Sequence, residues 1–190
     1  MSAPPKVPTE TDNRLRTRVR EVLSYFAAAA ALCGVILGIM EYTQRKALNR
    51  AQNTMSQIEY WDSQGARDAY RALNRDVQTF FEPIRSQVET ARENQRAAEN
   101  LRRETVKAVL KRDGADRDLE DVVYFFSRLS LCVRAELCDH ATARVFFEDT
   151  LITFLSIFED YIRAEETRIP GYGEAVLCLR DRFADKSECT

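Results

Sequence analysis

Glycine and proline are scarce in this chain, 6 and 5 among 190 residues, and three of the prolines (Pro4, Pro5, Pro8) fall in the first ten positions. A β-sandwich or barrel needs many turns and draws on both residue types to make them. Their scarcity excludes a turn-rich β architecture and predicts a mostly helical protein. Histidine is rarer still, with His140 the only one. No glycine-rich phosphate loop is present. An excess of one charge is also missing. After residue 41, 23 Lys and Arg stand against 26 Asp and Glu, so nothing electrostatic points to nucleic acid as a partner. The cysteines Cys33, Cys132, Cys138, Cys178 and Cys189 do not resemble a disulfide framework, because one of them lies inside an apolar run. Read as unpaired thiols, they fit a reducing compartment.

With 45% hydrophobic and 31% charged residues, the composition is that of a folded protein and not a disordered one. The first feature to stand out is Val22–Met40, VLSYFAAAAALCGVILGIM, 19 residues without a charge. As a helix it measures about 28 Å, close to the hydrocarbon thickness of a bilayer. Arg14, Arg16, Arg18 and Arg20 border it on one side, and Glu41, Arg45 and Lys46 on the other. Length and charged borders favour a transmembrane helix over a buried helix of a soluble protein. A cleaved signal peptide would have a shorter apolar stretch and an Ala-x-Ala-like site, whereas this run ends in Leu37-Gly38-Ile39-Met40-Glu41. A lipoprotein signal would place a small residue before its cysteine, and Leu32 precedes Cys33. The expectation is therefore a retained single-pass anchor in the cell membrane.

Ala30, Gly34 and Gly38 recur every four residues and put small side chains on one helix face, where a second transmembrane backbone can approach. Ordinary alanine and glycine content in a membrane span is the plainer reading. Basic residues set orientation. Lys6 and the four arginines precede the run, and Arg45, Lys46 and Arg50 follow within twenty residues. Five against three favours a cytoplasmic N-terminus and a translocated C-terminal domain. The thiols pull the other way.

Glu41–Thr190 is 150 residues, enough to bury a sizeable core. The organisation expected is a polar Arg-rich tail (1–21), the transmembrane helix (22–40), a juxtamembrane helix (41–62), a helical domain (63–184) with a charged insert (84–118), and a short tail (185–190). Asp62 or Ser63 offers a cap for a helix carrying Ala66, Ala69, Tyr70, Leu73 and Val77. Phe80-Phe81-Glu82-Pro83 breaks or bends that helix. From Ile84 to Arg112 the apolar positions are sparse and small, as in a solvated helix or a flexible insert. Asp113-Gly114-Ala115-Asp116 is a turn. Leu119, Val122, Phe126, Leu129, Val133 and Leu137 then follow helical spacing. Asp139 caps the next helix, whose stripe is Phe147, Leu151, Phe154, Leu155, Phe158 and Ile162. The two helices make an antiparallel hairpin that forms the core. Ile169-Pro170-Gly171-Tyr172-Gly173 stops the second, and a last helix near Glu174–Phe183 brings Val176, Leu179 and Phe183. The fold class expected is all-α: a transmembrane helix continuing into a small helical bundle.

Several segments give the chain a familiar look: Glu41-Tyr42-Thr43-Gln44-Arg45 after the anchor, Tyr60-Trp61-Asp62-Ser63 with Ala66-Arg67-Asp68-Ala69, Phe125-Phe126-Ser127-Arg128-Leu129, Cys138-Asp139, and Tyr161-Ile162-Arg163. In these it resembles a group of uncharacterised bacterial single-pass membrane-anchored proteins with a small helical domain. The resemblance covers most of the chain after residue 20, though its motifs are loose. The charged stretch from Ile84 to Asp118 and the Arg-rich tail depart from the pattern. The resemblance implies a fold and membrane attachment, and no activity.

Chemistry has little to stand on. Cys138-Asp139-His140 invites a metal or a Cys–His reading. On a continuous helix, however, Cys132 and Cys138 would be about 600° apart and face different sides, unlike metal-ligand spacing. Nothing in the sequence brings Cys138 or Cys178 to His140 as a nucleophile. Glu159-Asp160 and Glu165-Glu166 read as the wet face of an amphipathic helix, not as paired acid–base carboxylates. Tyr60 and Trp61 read as core. The expectation is a non-enzyme without metal, cofactor or small-molecule substrate: a membrane-tethered helical interaction or scaffold module. Its partners would be the lipid bilayer and either a second copy or a membrane protein. The alternatives are an accessory subunit that contacts a larger complex through its transmembrane helix and, remotely, an unrecognised enzyme.

Overall fold

The computed structural model describes the backbone of residues 10–84 and 95–186, and side chains from residue 32 onward, less Gln95, within those ranges. All its regular structure is helical: α1 (Glu10–Ser63), α2 (Ala66–Phe81), a 3₁₀ turn (Glu82–Ile84), α3 (Gln95–Val109), α4 (Ala115–Arg134), α5 (His140–Arg168) and α6 (Glu174–Phe183). Two compact units divide the chain, Met1–Ala47 and Leu48–Thr190, and α1 contributes to both.

In the first unit the stretch Leu32–Met40 of α1 carries no charge and is uncovered. Leu32, Val35, Ile36, Leu37, Ile39 and Met40 are each more than half exposed. Among the described residues no helix is long and apolar enough to cross a membrane. Residues 22–31 of the expected span Val22–Met40 lie outside the described side chains, as does Ala30 of the small-residue face.

The second unit is a bundle with α4 at its centre. α4 packs on α2, α5 and α6, while α3 packs on α2 and α5. Asp116 and Asp118 in its first turn and Arg134 in its last complement the helix dipole. Phe125, Phe126 and Leu129 are fully buried. From α1, Trp61 enters this core with its ring centroid 4.6 Å from Phe125 and 6.0 Å from Phe147. Tyr60 stacks on Phe125 at 6.4 Å, and Arg128 lies 4.2 Å over the outer Tyr60 ring. The α5 stripe from Phe147 to Ile162 is buried throughout, as are Val176, Leu179 and Phe183 of α6.

Four sequence expectations are corrected here. Neither Asp62 nor Ser63 caps α2. α1 runs through both, Asp62 pairs with Arg67 at 2.9 Å, and Gly65 at φ 87° turns the chain into α2. Only Gly adopts that left-handed backbone without a Cβ clash. Over its described length the stretch 84–118 is not solvated throughout: it holds the helix α3, part of which is packed inside. Thr105, Val106 and Val109 of α3 and Ala115 of α4 are buried, so a thin apolar stripe of small residues suffices where helices approach closely. Residues 85–94 lie outside the described set. Leu137 is 57% exposed, because α4 ends at Arg134 and breaks the helical spacing that would have buried it. Finally, the cysteines do form a disulfide, described next.

Candidate functional site

The turn between α4 and α5 holds the Cys138-Asp139-His140 candidate of the sequence. Cys132 and Cys138 are disulfide-bonded, with Cα atoms 5.2 Å apart. The expectation that they face different sides assumed a continuous helix. Instead Glu136 takes the left-handed conformation at φ 55°. Its N–H donates to Val133 O at 3.1 Å, and the Leu137 N–H donates to Cys132 O at 2.9 Å. This is a Schellman stop, which satisfies the last carbonyls of α4 and folds the chain back on itself. The usable signal lay in Asp139: a helix that starts at 140 forces the previous one to stop, so the two cysteines bracket a turn. Cys178 is disulfide-bonded too, which leaves Cys33 as the free thiol among the described cysteines.

α1 clamps the same turn. Arg50 Nε donates to Glu136 O at 2.8 Å and its guanidinium also reaches the Glu136 carboxylate. Asn53 Nδ2 donates to Leu137 O at 2.9 Å, and the Asp139 N–H donates to Thr54 Oγ1 at 2.8 Å. Asp139 then occupies the N-cap of α5, its Oδ1 accepting from the Thr142 N–H at 2.8 Å and the Thr142 hydroxyl at 2.6 Å. These bonds hold the Asp139 carboxyl below its ordinary range, the Thr142 hydroxyl first and its backbone N–H second. With both sulfurs bonded to each other, neither Cys132 nor Cys138 can act as a nucleophile or a thiolate ligand. His140 lies 5.7 Å from the Phe183 ring. No cluster of three metal-ligating side chains occurs among the described residues.

The acidic neighbours on α5 are separately engaged. Glu159 pairs with Arg163 and Arg180, each at 2.8 Å. Burial pushes its carboxyl up, but the two guanidinium groups outweigh burial and leave it lowered. Glu165 pairs with Arg168 at 2.9 Å. Asp160 lies 3.6 Å from Arg102 of α3, at the rim of a cleft between α3 and α5. The cleft holds about 460 Å³ and has an apolar floor of Val106, Ile157 and Tyr161. A second, more open groove of about 400 Å³ lies over Ile58, Trp61, Tyr70 and Phe146. α5 also exposes Val145 (84%) and Ile152 (50%). Gly34 and Gly38 of α1 have no neighbouring atom within reach of an added Cβ. Sequence reasoning missed both concavities, since each is lined from helices distant in sequence.

Comparison with family profiles, with curated proteins and with solved structures finds no match to this chain.

Proposed function

We propose that this protein is a membrane-tethered helical interaction module, anchored by Val22–Met40, with residues 48–190 on the oxidising side of the membrane. The observation that carries the reading is the apolar, uncovered surface of α1 over Leu32–Met40. A helix that is hydrophobic all round needs either a protein core or lipid around it. The charged borders and the 19-residue uncharged length favour lipid. Support for the side comes from two independent features. The Cys132–Cys138 disulfide suits an oxidising compartment, and the five-to-three excess of basic residues before the run keeps the N-terminus cytoplasmic. The thiols therefore no longer oppose the charge rule. Exposed Val145, Phe146 and Ile152 on α5 offer the domain an apolar contact face.

Extraction and topology test this together. The protein should stay in the membrane pellet through alkaline carbonate washing. A C-terminal alkaline phosphatase fusion should be active and a C-terminal green fluorescent protein fusion dark. Release by carbonate would end the anchor reading, and the reverse reporter pattern would end the assignment of side.

The open face at Gly34 and Gly38 favours a second reading, in which the anchor itself contacts a larger membrane complex. In that case the anchor alone co-purifies with the complex. Gly34→Leu with Gly38→Leu abolishes association, while deleting the helical domain does not.

A further inference from the structure

The cleft between α3 and α5 has a composition that neither membrane attachment nor protein contact uses. Its floor is apolar, with Ala164 at one edge. Arg102, Arg103 and Lys107 of α3 stand over that floor. Of the three, Arg102 is ion-paired, with Asp160 at 3.6 Å. Arg103 and Lys107, one helical turn apart and both exposed, have no ion pair among the described residues. Among the residues that line it, three cations stand against one anion, so the lining of this apolar cleft is positively charged.

We propose that this cleft binds a small amphiphilic anion, an aromatic or aliphatic body carrying a carboxylate- or phosphate-type head. The body would lie on Val106, Ile157 and Tyr161, and the head would meet Arg103 and Lys107. The choice of class follows by elimination. A cationic ligand is repelled by the rim. A sugar or other polar ligand wastes the apolar floor. A neutral apolar ligand forgoes the strongest attraction on offer, since Arg presents a fork to two oxygens and Lys a compact charge. Size separates a small molecule from a protein partner. About 460 Å³ lies within the range of small-ligand clefts, roughly 300–1,000 Å³. A stable protein interface buries about 800 Å² per partner, far more than these lining residues supply. The site does not depend on the membrane reading, because all its residues belong to the second unit.

The test uses full-length protein in nanodiscs of zwitterionic phosphatidylcholine, with 2-naphthoate as the probe. Its uncharged amide and 2-naphthylmethylammonium serve as isosteric controls. Titration calorimetry should show saturable naphthoate binding, with both controls weaker by about tenfold or more. Arg103→Gln with Lys107→Gln should weaken naphthoate by about tenfold and leave the amide unchanged. Ala164→Trp, which fills the cleft from an exposed position, should remove binding of both. Thermal unfolding of each variant checks that the fold is kept; the three positions are exposed and the parent midpoint is expected. Equal affinity for the amide, unaltered binding by the double variant, or no saturable binding at millimolar probe would each overturn the proposal.

Discussion

The backbone N–H of Asp139 donates to the Oγ1 of Thr54 at 2.8 Å, across 85 positions of sequence. Thr54 is fully buried and its own hydroxyl donates a hydrogen bond to the Arg50 carbonyl at 2.9 Å, so one hydroxyl satisfies groups on two elements. Thr54→Val keeps the shape and removes the acceptor. The Asp139 N–H would then lack its partner, at a cost of about 1–3 kcal/mol. Thr54→Ser keeps the bond and should cost less. Chemical denaturation of the three proteins checks the order.

The cap that follows predicts an acid dependence. Asp139 has its carboxyl lowered below the ordinary value of 3.8 by the Thr142 hydroxyl and N–H. A depressed folded-state value means the charged form is stabilised by folding. Its contribution is fully present above the ordinary value and is lost as pH falls through the folded one. Asp139→Ala should therefore cost about 0.5–2 kcal/mol at neutral pH. The difference from the parent should shrink below pH 3.8, as stability is followed down through the acid range. A gap that stays constant in acid would mean the charge is irrelevant to the cap.

The Cys132–Cys138 disulfide closes a short loop, so its entropic contribution is modest, about 2 kcal/mol on the chain-entropy account. Cys132→Ser with Cys138→Ser should lower stability by that amount and leave the fold intact, because the Schellman bonds and the Arg50 clamp hold the turn independently. In protein taken directly from membranes, Cys132, Cys138 and Cys178 should resist maleimide until reduced, and Cys33 should label once denatured. Peptide mass spectrometry reads each site. Full labelling of Cys132 and Cys138 before reduction would remove the disulfide and, with it, half the case for an oxidising compartment.

The pattern of legibility follows from the physics of each signal. The α5 stripe from Phe147 to Ile162 and the α6 limits Glu174–Phe183 could be read directly, since large apolar residues at helical spacing and a Pro-Gly stop act locally. α3 was hidden because its buried positions, Thr105, Val106 and Val109, are small or polar, and their burial is decided by α2 and α5. Phe125 escaped as well: α4 is packed by α2, α5 and α6 and, at Phe125, by Tyr60 and Trp61 of α1, so its buried arc is wider than one stripe. The Cys132–Cys138 disulfide depended on one left-handed residue, Glu136, a conformation that nothing in glutamate's chemistry announces. The clamp from Arg50, Asn53 and Thr54 is a long-range pairing of polar groups, for which periodicity carries no trace.

Two glycines in the stop between α5 and α6 separate backbone strain from steric overlap. Gly171 (φ 85°) and Gly173 (φ 71°) are both left-handed. Around Gly171 there is open space, so Gly171→Ala carries only the conformational cost, about 1–2 kcal/mol. At Gly173 an added methyl would overlap Cγ2 of Ile162, whose side chain is fully buried and has nowhere to retreat. Overpacking of this kind adds roughly 1–3 kcal/mol. Gly173→Ala should therefore be the more destabilising of the pair by about that margin. The double variant Gly173→Ala with Ile162→Val should not restore the parent. Ile and Val are both β-branched, so the shorter side chain keeps a γ-carbon at the point of overlap and relieves only part of it. Thermal unfolding of the three variants tests the account. Equal losses for Gly171→Ala and Gly173→Ala would show that backbone strain alone makes this stop intolerant of side chains.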